Sequence, residues 1–158
     1  TRIIHRAYPS NIVTTEKGLY RVYLVTRAEA YLPANYDFFI RSAVSADGIN
    51  WTVEPGIRCW ITAANDTAYR LYAVKLEGEA VRLFFGCHII GLNSAFSNDG
   101  LNFVRDNGQR ISPSVGNNVV SDPVVVKIPG GYRLFHGIGN LGTYPAFNTK
   151  VFSAVSYE

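Results

Sequence analysis

Apolar and polar residues alternate along most of this chain with a period of two, the pattern of strands that bury one face. Residues 19–27 run Leu-Tyr-Arg-Val-Tyr-Leu-Val-Thr-Arg, rich in the β-branched and aromatic side chains that suit a pleated sheet. Comparable segments predict strands over 11–15, 37–45 and 51–59, over 68–76, 80–88, 93–97 and 102–105, and over 123–128, 132–137 and 149–156. Glu16-Lys17-Gly18, Glu77-Gly78-Glu79 and Pro129-Gly130-Gly131 separate them as turns. A longer connection over 28–36 holds Pro33 and Asn35. No segment carries a helical period, so the expected fold class is all-β and antiparallel.

The strands recur in units. Ser-Ala-Val-Ser-Ala-Asp-Gly at 42–48 returns as Ser-Ala-Phe-Ser-Asn-Asp-Gly at 94–100 and as Ser-Ala-Val-Ser-Tyr-Glu at 153–158. Each copy follows a strand with a hydrophobic-Arg pair: Tyr20-Arg21, Val81-Arg82 and Tyr132-Arg133. A period of about fifty residues with four strands per unit predicts the blades of a β-propeller. The units fall at about 8–60, 61–112 and 119–158, with 1–7 as an outer strand of an adjoining blade. Propellers close with roughly four to eight blades. Three therefore imply either a longer chain or a homo-oligomer, in which a dimer would make a six-bladed ring with the N-terminal segment as the joining strand.

Composition narrows the partners. The chain has 158 residues, a net charge of +3 and 47% hydrophobic residues, consistent with a packed domain. Its Arg residues are spread along strands without a basic run, which argues against a nucleic-acid surface. No apolar stretch approaches the length of a membrane span, and no signal peptide is visible. The absence of Met leaves the natural start and the compartment open. Cys59 and Cys87 lie at non-equivalent positions of different units and are expected as buried free thiols. Gly137-Ile138-Gly139-Asn140-Leu141-Gly142 follows a strand but opens no helix, so it is not a dinucleotide fingerprint.

The Asp-Gly turns carry their own chemistry. In Ser45-Ala46-Asp47-Gly48-Ile49-Asn50-Trp51 and Ser97-Asn98-Asp99-Gly100-Leu101-Asn102-Phe103, the Asp can accept backbone amides, and the Gly tolerates positive φ. Asp47, Gly48, Asp99 and Gly100 are therefore expected as structural turn residues, with the aromatic packing back between strands. The motif resembles the Asp-box-like turns of carbohydrate-active propellers. Together with Ser121-Asp122-Pro123 opening an inner strand and the strand Gly131-Tyr132-Arg133-Leu134-Phe135-His136, the chain resembles the five-bladed, furanosidase-like glycosidases: arabinanases, β-xylosidases, invertases and levansucrases.

That resemblance implies a central funnel in which an Asp acts as nucleophile or base, a Glu as general acid, and a further Asp tunes the acid. Carried onto this sequence, it makes Asp122 the leading catalytic candidate, orienting or tuning an acid, with Asp66 as the candidate base. His136, Tyr8 and Arg70 are the candidate substrate-binding residues. The first unit reads Tyr8-Pro9-Ser10 where the Asp-Pro is expected, and no Glu is placed as the acid. The expected function is processing of a glycan, with a non-catalytic sugar-binding or scaffolding propeller as the alternative. No cofactor is expected. The resemblance leaves room for Ca²⁺ at the ring centre, but no spacing here specifies its ligands.

Overall fold

Each glycine-bearing turn reverses the chain and lays the next alternating segment antiparallel to the last. The computed structural model describes residues 7–27, 38–61, 68–87, 91–112, 118–140 and 150–157, and these form three antiparallel sheets. The first contains β1 (Ala7–Thr14), β2 (Tyr20–Arg27), β3 (Phe38–Ser45), β4 (Thr52–Val53) and β5 (Cys59–Ile61). The second contains β6 (Ala68–Lys75), β7 (Val81–Cys87), β8 (Gly91–Ser97) and β9 (Val104–Arg105). The third contains β10 (Asn118–Ile128), β11 (Gly131–Asn140) and β12 (Lys150–Tyr157). Among the described residues there is no helix.

Two elements differ from the sequence expectation. The strand expected over 51–59 is broken into β4 and β5, both paired with β3. Pro55 has no amide to give a ladder, and Gly56 turns with a φ of 88°. The strand expected from 123 starts instead at Asn118, and the Asp122-Pro123 pair sits inside it as a β-bulge. Ala7 belongs to β1; the rest of the expected joining segment, residues 1–6, lies outside the described residues, as does the 28–36 connection.

The sheets stack through their first strands: β1 packs against β6, and β6 against β10. Asn11, displayed by a bulge in β1, stitches the first two. Its Nδ2 donates to Ala73 O at 2.9 Å, and its Oδ1 accepts from Ala73 N at 2.7 Å. One side-chain amide thus imitates a rung of the ladder between strands of different sheets. The main core fills the space between the first and second sheets, with Tyr23, Val25 and Ile40 meeting Leu71, Leu83 and Phe85. Cys59 is buried there, and burial pushes its thiol pKa up. Between the second and third sheets lies a cleft of about 430 Å³.

Candidate functional site at the end of the inner strands

The repeat can be numbered by register. Arg21, Arg82 and Arg133 pair with Val13, Val74 and Val126 respectively. Four residues further along each second strand, Val25 pairs with Tyr8, Gly86 with Arg70 and Gly137 with Ser121. Tyr8 and Arg70 therefore stand at one level on adjacent first strands, with Asp122 one residue short of that level on the third.

The structure brings two of these together. Arg70 Nε lies 2.9 Å from Asp122 Oδ1, an ion pair between sheets whose side chains are 60% and 57% exposed. Asp122 adopts a φ of +51°, the non-glycine residue with positive φ among those described. That conformation is tolerated best by Asn and Asp, and it recurs where a backbone is bent to aim a side chain. The bulge places two residues, Asp122 and Pro123, opposite His136 alone. Tyr8 is 44% exposed on β1.

His136 sits elsewhere. It is 5% exposed on the second strand of its sheet, and its ring stacks on Phe152 with centroids 5.8 Å apart. Its Nδ1 finds no hydrogen-bond partner, and burial holds its pKa below the ordinary histidine value. Asp66 lies outside the described residues. Among the described residues of β1, β6 and β10, Asp122 is the one carboxylate. No three His, Cys, Asp or Glu gather as a metal site among the described residues.

The Asp-Gly turns form closed hydrogen-bond cycles remote from that end. Asp47 Oδ1 accepts from Ile49 N at 2.8 Å, from Asn50 N at 2.7 Å and from Ser45 Oγ at 2.9 Å. Asp99 repeats this with Leu101 N, Asn102 N and Ser97 Oγ at 2.8, 2.7 and 2.8 Å. These amides hold both carboxyls well below the usual carboxylate range. Gly48 and Gly100 follow with φ of 75° and 69°. The aromatic after the second turn, Phe103, packs edge-on against Tyr23 of the neighbouring sheet at 5.5 Å.

Sequence reasoning missed a second repeated constellation. Arg21 is held by Glu54 through two 3.0 Å hydrogen bonds, and Ser42 Oγ donates to the same carboxylate at 2.6 Å. Burial opposes the Arg21 charge, but Glu54 outweighs it and keeps the guanidinium above its ordinary pKa. In the second sheet Arg82 and Ser94 meet Asp106 at 2.6 and 2.5 Å. Glu79, in the turn expected over 77–79, accepts from Glu16 N at 2.6 Å and lies 3.7 Å from Arg21. The signal for the acids was present: each falls seven residues after the turn Asp.

No family model and no curated protein matches the chain. Solved structures do. A GH32 β-fructofuranosidase of Bombyx mori superposes with a TM-score of 0.70 at 14% identity, over 96% of this chain and 34% of that one. The β-fructofuranosidase of Schwanniomyces occidentalis, complexed with fructosyl-erythritol, gives 0.65 at 14% identity, with the same coverage. An α-L-arabinanase of Penicillium chrysogenum, complexed with arabinobiose, gives 0.62 at 14% identity, covering 96% of this chain and 46% of that one. The fold is that of the glycosidase β-propellers. This chain holds a partial propeller, with the three sheets as its blades, and spans about a third of the length of the fructofuranosidases it matches. The first strands of its blades, β1, β6 and β10, are the inner strands, and the Tyr8, Arg70 and Asp122 level lies on them.

Proposed function

We propose that this partial propeller binds a glycan at the Tyr8–Arg70–Asp122 end of its inner strands, as the sugar-handling part of a glycoside hydrolase-like protein. One observation carries the reading: Asp122 is displayed by a bulge in a left-handed conformation, more than half exposed, and held in place by Arg70 of the next blade. A carboxylate and a guanidinium fixed side by side offer acceptors and donors to vicinal hydroxyls. Tyr8 adds an exposed ring on which a sugar face can stack. Fructose- and arabinose-containing ligands of the matched structures make furanosides the first class to try.

Hydrolysis requires a second carboxylate about 5–10 Å away across the sugar. Asp66 is the proposed base, with Asp122 orienting or tuning the acid. A sugar-binding propeller without catalysis is the second reading, favoured by the lone carboxylate on the described inner strands. Either way, the proposed units are one blade each, over 8–60, 61–112 and 119–158, and further blades complete the funnel, a dimeric six-bladed ring being one such arrangement.

Calorimetric titration with fructo- and arabino-oligosaccharides tests the site. Asp122→Asn and Arg70→Gln are each expected to weaken binding about tenfold, the scale of one charge-assisted hydrogen bond. Asn keeps the left-handed backbone, and an exposed pair adds little stability, so the melting temperature stays within a few degrees. Unchanged affinity in both variants would remove the site. Turnover of an aryl furanoside that vanishes in Asp122→Asn and Asp66→Asn alike would extend binding to catalysis.

A further inference from the structure

We propose that Asn107-Gly108 is a self-modifying turn, in which Asn107 loses its amide as ammonia and becomes aspartate or isoaspartate, promoted by Arg110. It is the one Asn-Gly pair in the chain. The turn follows β9 and joins two rungs on β8: Asp106 N donates to Ser94 O at 3.0 Å, and Arg110 N donates to Leu92 O at 2.7 Å. It belongs to the outer margin of the second blade, so the inference does not depend on the glycan reading of the inner strands.

The first blade holds the same turn with a different first residue. There Pro55-Gly56 lies between Glu54 N, which donates to Ser42 O at 2.9 Å, and Arg58 N, which donates to Ile40 O at 2.7 Å. All four turn residues, Pro55, Gly56, Asn107 and Gly108, are exposed. Solvent therefore reaches this turn even in the first blade, where the second packs alongside. Both glycines have positive φ, 88° at Gly56 and 72° at Gly108. In both turns an arginine Nη2 donates back to the carbonyl before the glycine: Arg58 to Pro55 O, and Arg110 to Asn107 O at 2.5 Å. Proline has no side-chain amide to lose. Asparagine sets a carboxamide beside the glycine nitrogen.

The reaction begins when the Gly108 nitrogen gives up its proton and attacks Asn107 Cγ. The N–Cγ bond forms, the Cγ–Nδ2 bond breaks, and the amide nitrogen leaves as ammonia with that proton. Water then opens the cyclic imide, giving aspartate by attack at Cγ and isoaspartate by attack at the main-chain carbonyl. Three features favour the first step. A Cβ at Gly108 would meet nothing within 4 Å, so the nitrogen is unshielded. The Asn107 side chain has no hydrogen bond among the described residues and is free to turn onto that nitrogen. The charge left by the departing proton spreads onto Asn107 O, the atom that the Arg110 guanidinium already holds. The Asp-Gly turns lack this freedom. Asn50 and Asn102 donate through Nδ2 to Asp47 and Asp99 at 2.8 and 2.7 Å, and each is followed by a bulky ring, Trp51 or Phe103. Isoaspartate at 107 inserts a methylene into the main chain between Asp106, which holds Arg82, and Arg110, and so alters the outer edge of the second blade.

The test is incubation of the 158-residue chain in mildly alkaline buffer, followed by peptide mapping with mass spectrometry. Conversion of amide to acid at Asn107 ahead of every other asparagine is expected, with isoaspartate among the products. Arg110→Gln should slow it about tenfold, the scale of one charge-assisted hydrogen bond to a developing anion, and Arg110→Lys should recover part of the rate. The Arg110 side chain is exposed, and its main-chain rung survives substitution, so both variants keep the fold. In urea, where the contact with Asn107 O is lost, the parent chain and Arg110→Gln should react at similar rates. An Asn107 that keeps its amide in the folded chain but loses it in urea overturns the proposal. A folded-state rate unchanged by Arg110→Gln, or a slowing that persists equally in urea, removes the role of Arg110 and overturns it as well.

Discussion

Gly48 and Gly100 hold the same place in the same turn, yet a methyl group at each meets different surroundings. At Gly48 the nearest atoms to an added Cβ are ring carbons of Tyr20, at 3.8 Å. At Gly100 they are Arg21 Nη1 at 2.6 Å, Tyr23 Oη at 3.2 Å and Glu79 O at 3.3 Å. Both residues have positive φ, so both lose the conformational freedom that alanine lacks. Gly48→Ala should therefore cost about 1 kcal/mol. Gly100→Ala should cost about 3 kcal/mol, because the methyl also collides with Arg21 Nη1, on a guanidinium that Glu54 holds through Nε and Nη2. Urea denaturation of the two variants checks the contrast, and equal losses would contradict it. Tyr23 is the other party at that contact. It donates to Gly100 O at 2.9 Å, and burial pushes its pKa up to about 12. The turn acids supply a pH dependence. Their folded pKa values lie below the unfolded value of about 4, so their contribution is complete above pH 4 and is lost as pH falls further. Asp99→Asn should flatten the acid limb of a stability profile measured between pH 5 and 2.

At the scale of strands, the alternating pattern located the elements, because residues such as Val22 and Leu24 on one face and Tyr23 and Val25 on the other obey period two. Irregularities escaped it. A bulge changes the count on one strand only, and nothing in Ser10-Asn11 or Asp122-Pro123 marks which residue will be left over. Asn11 thereby gained a bridging role that its polar character alone did not suggest. The outer-strand acids also escaped, because their meaning depends on a partner on another strand. Those acids differ in depth: Arg21 and Glu54 side chains are 10% and 16% exposed, Arg82 and Asp106 34% and 23%. Glu54→Ala should cost about 3 kcal/mol, since it strands a buried guanidinium. Asp106→Ala should cost nearer 1 kcal/mol, because water can still reach Arg82. Thermal or urea unfolding of the pair decides it, and the reverse order would contradict the account.

For the whole molecule, the spacing of three Ser-Ala-x-Ser phrases was enough to read repeated sheets, and structural comparison gives those sheets the propeller arrangement of glycosidases. The site was less legible. Arg70 and Asp122 are 52 residues apart in the chain, and only the stacking of β6 on β10 makes them an ion pair. His136 looked like a funnel residue by sequence, but its position on a second strand buries it between β10 and β12. The most direct test of the account is a backbone-amide NMR titration of the chain with short fructo- and arabino-oligosaccharides. Saturable shifts concentrated at Tyr8, Arg70 and the Ser121–Val124 bulge are predicted. Shifts confined to other faces, or none at saturating sugar, would contradict the proposal that the inner-strand end is a glycan site.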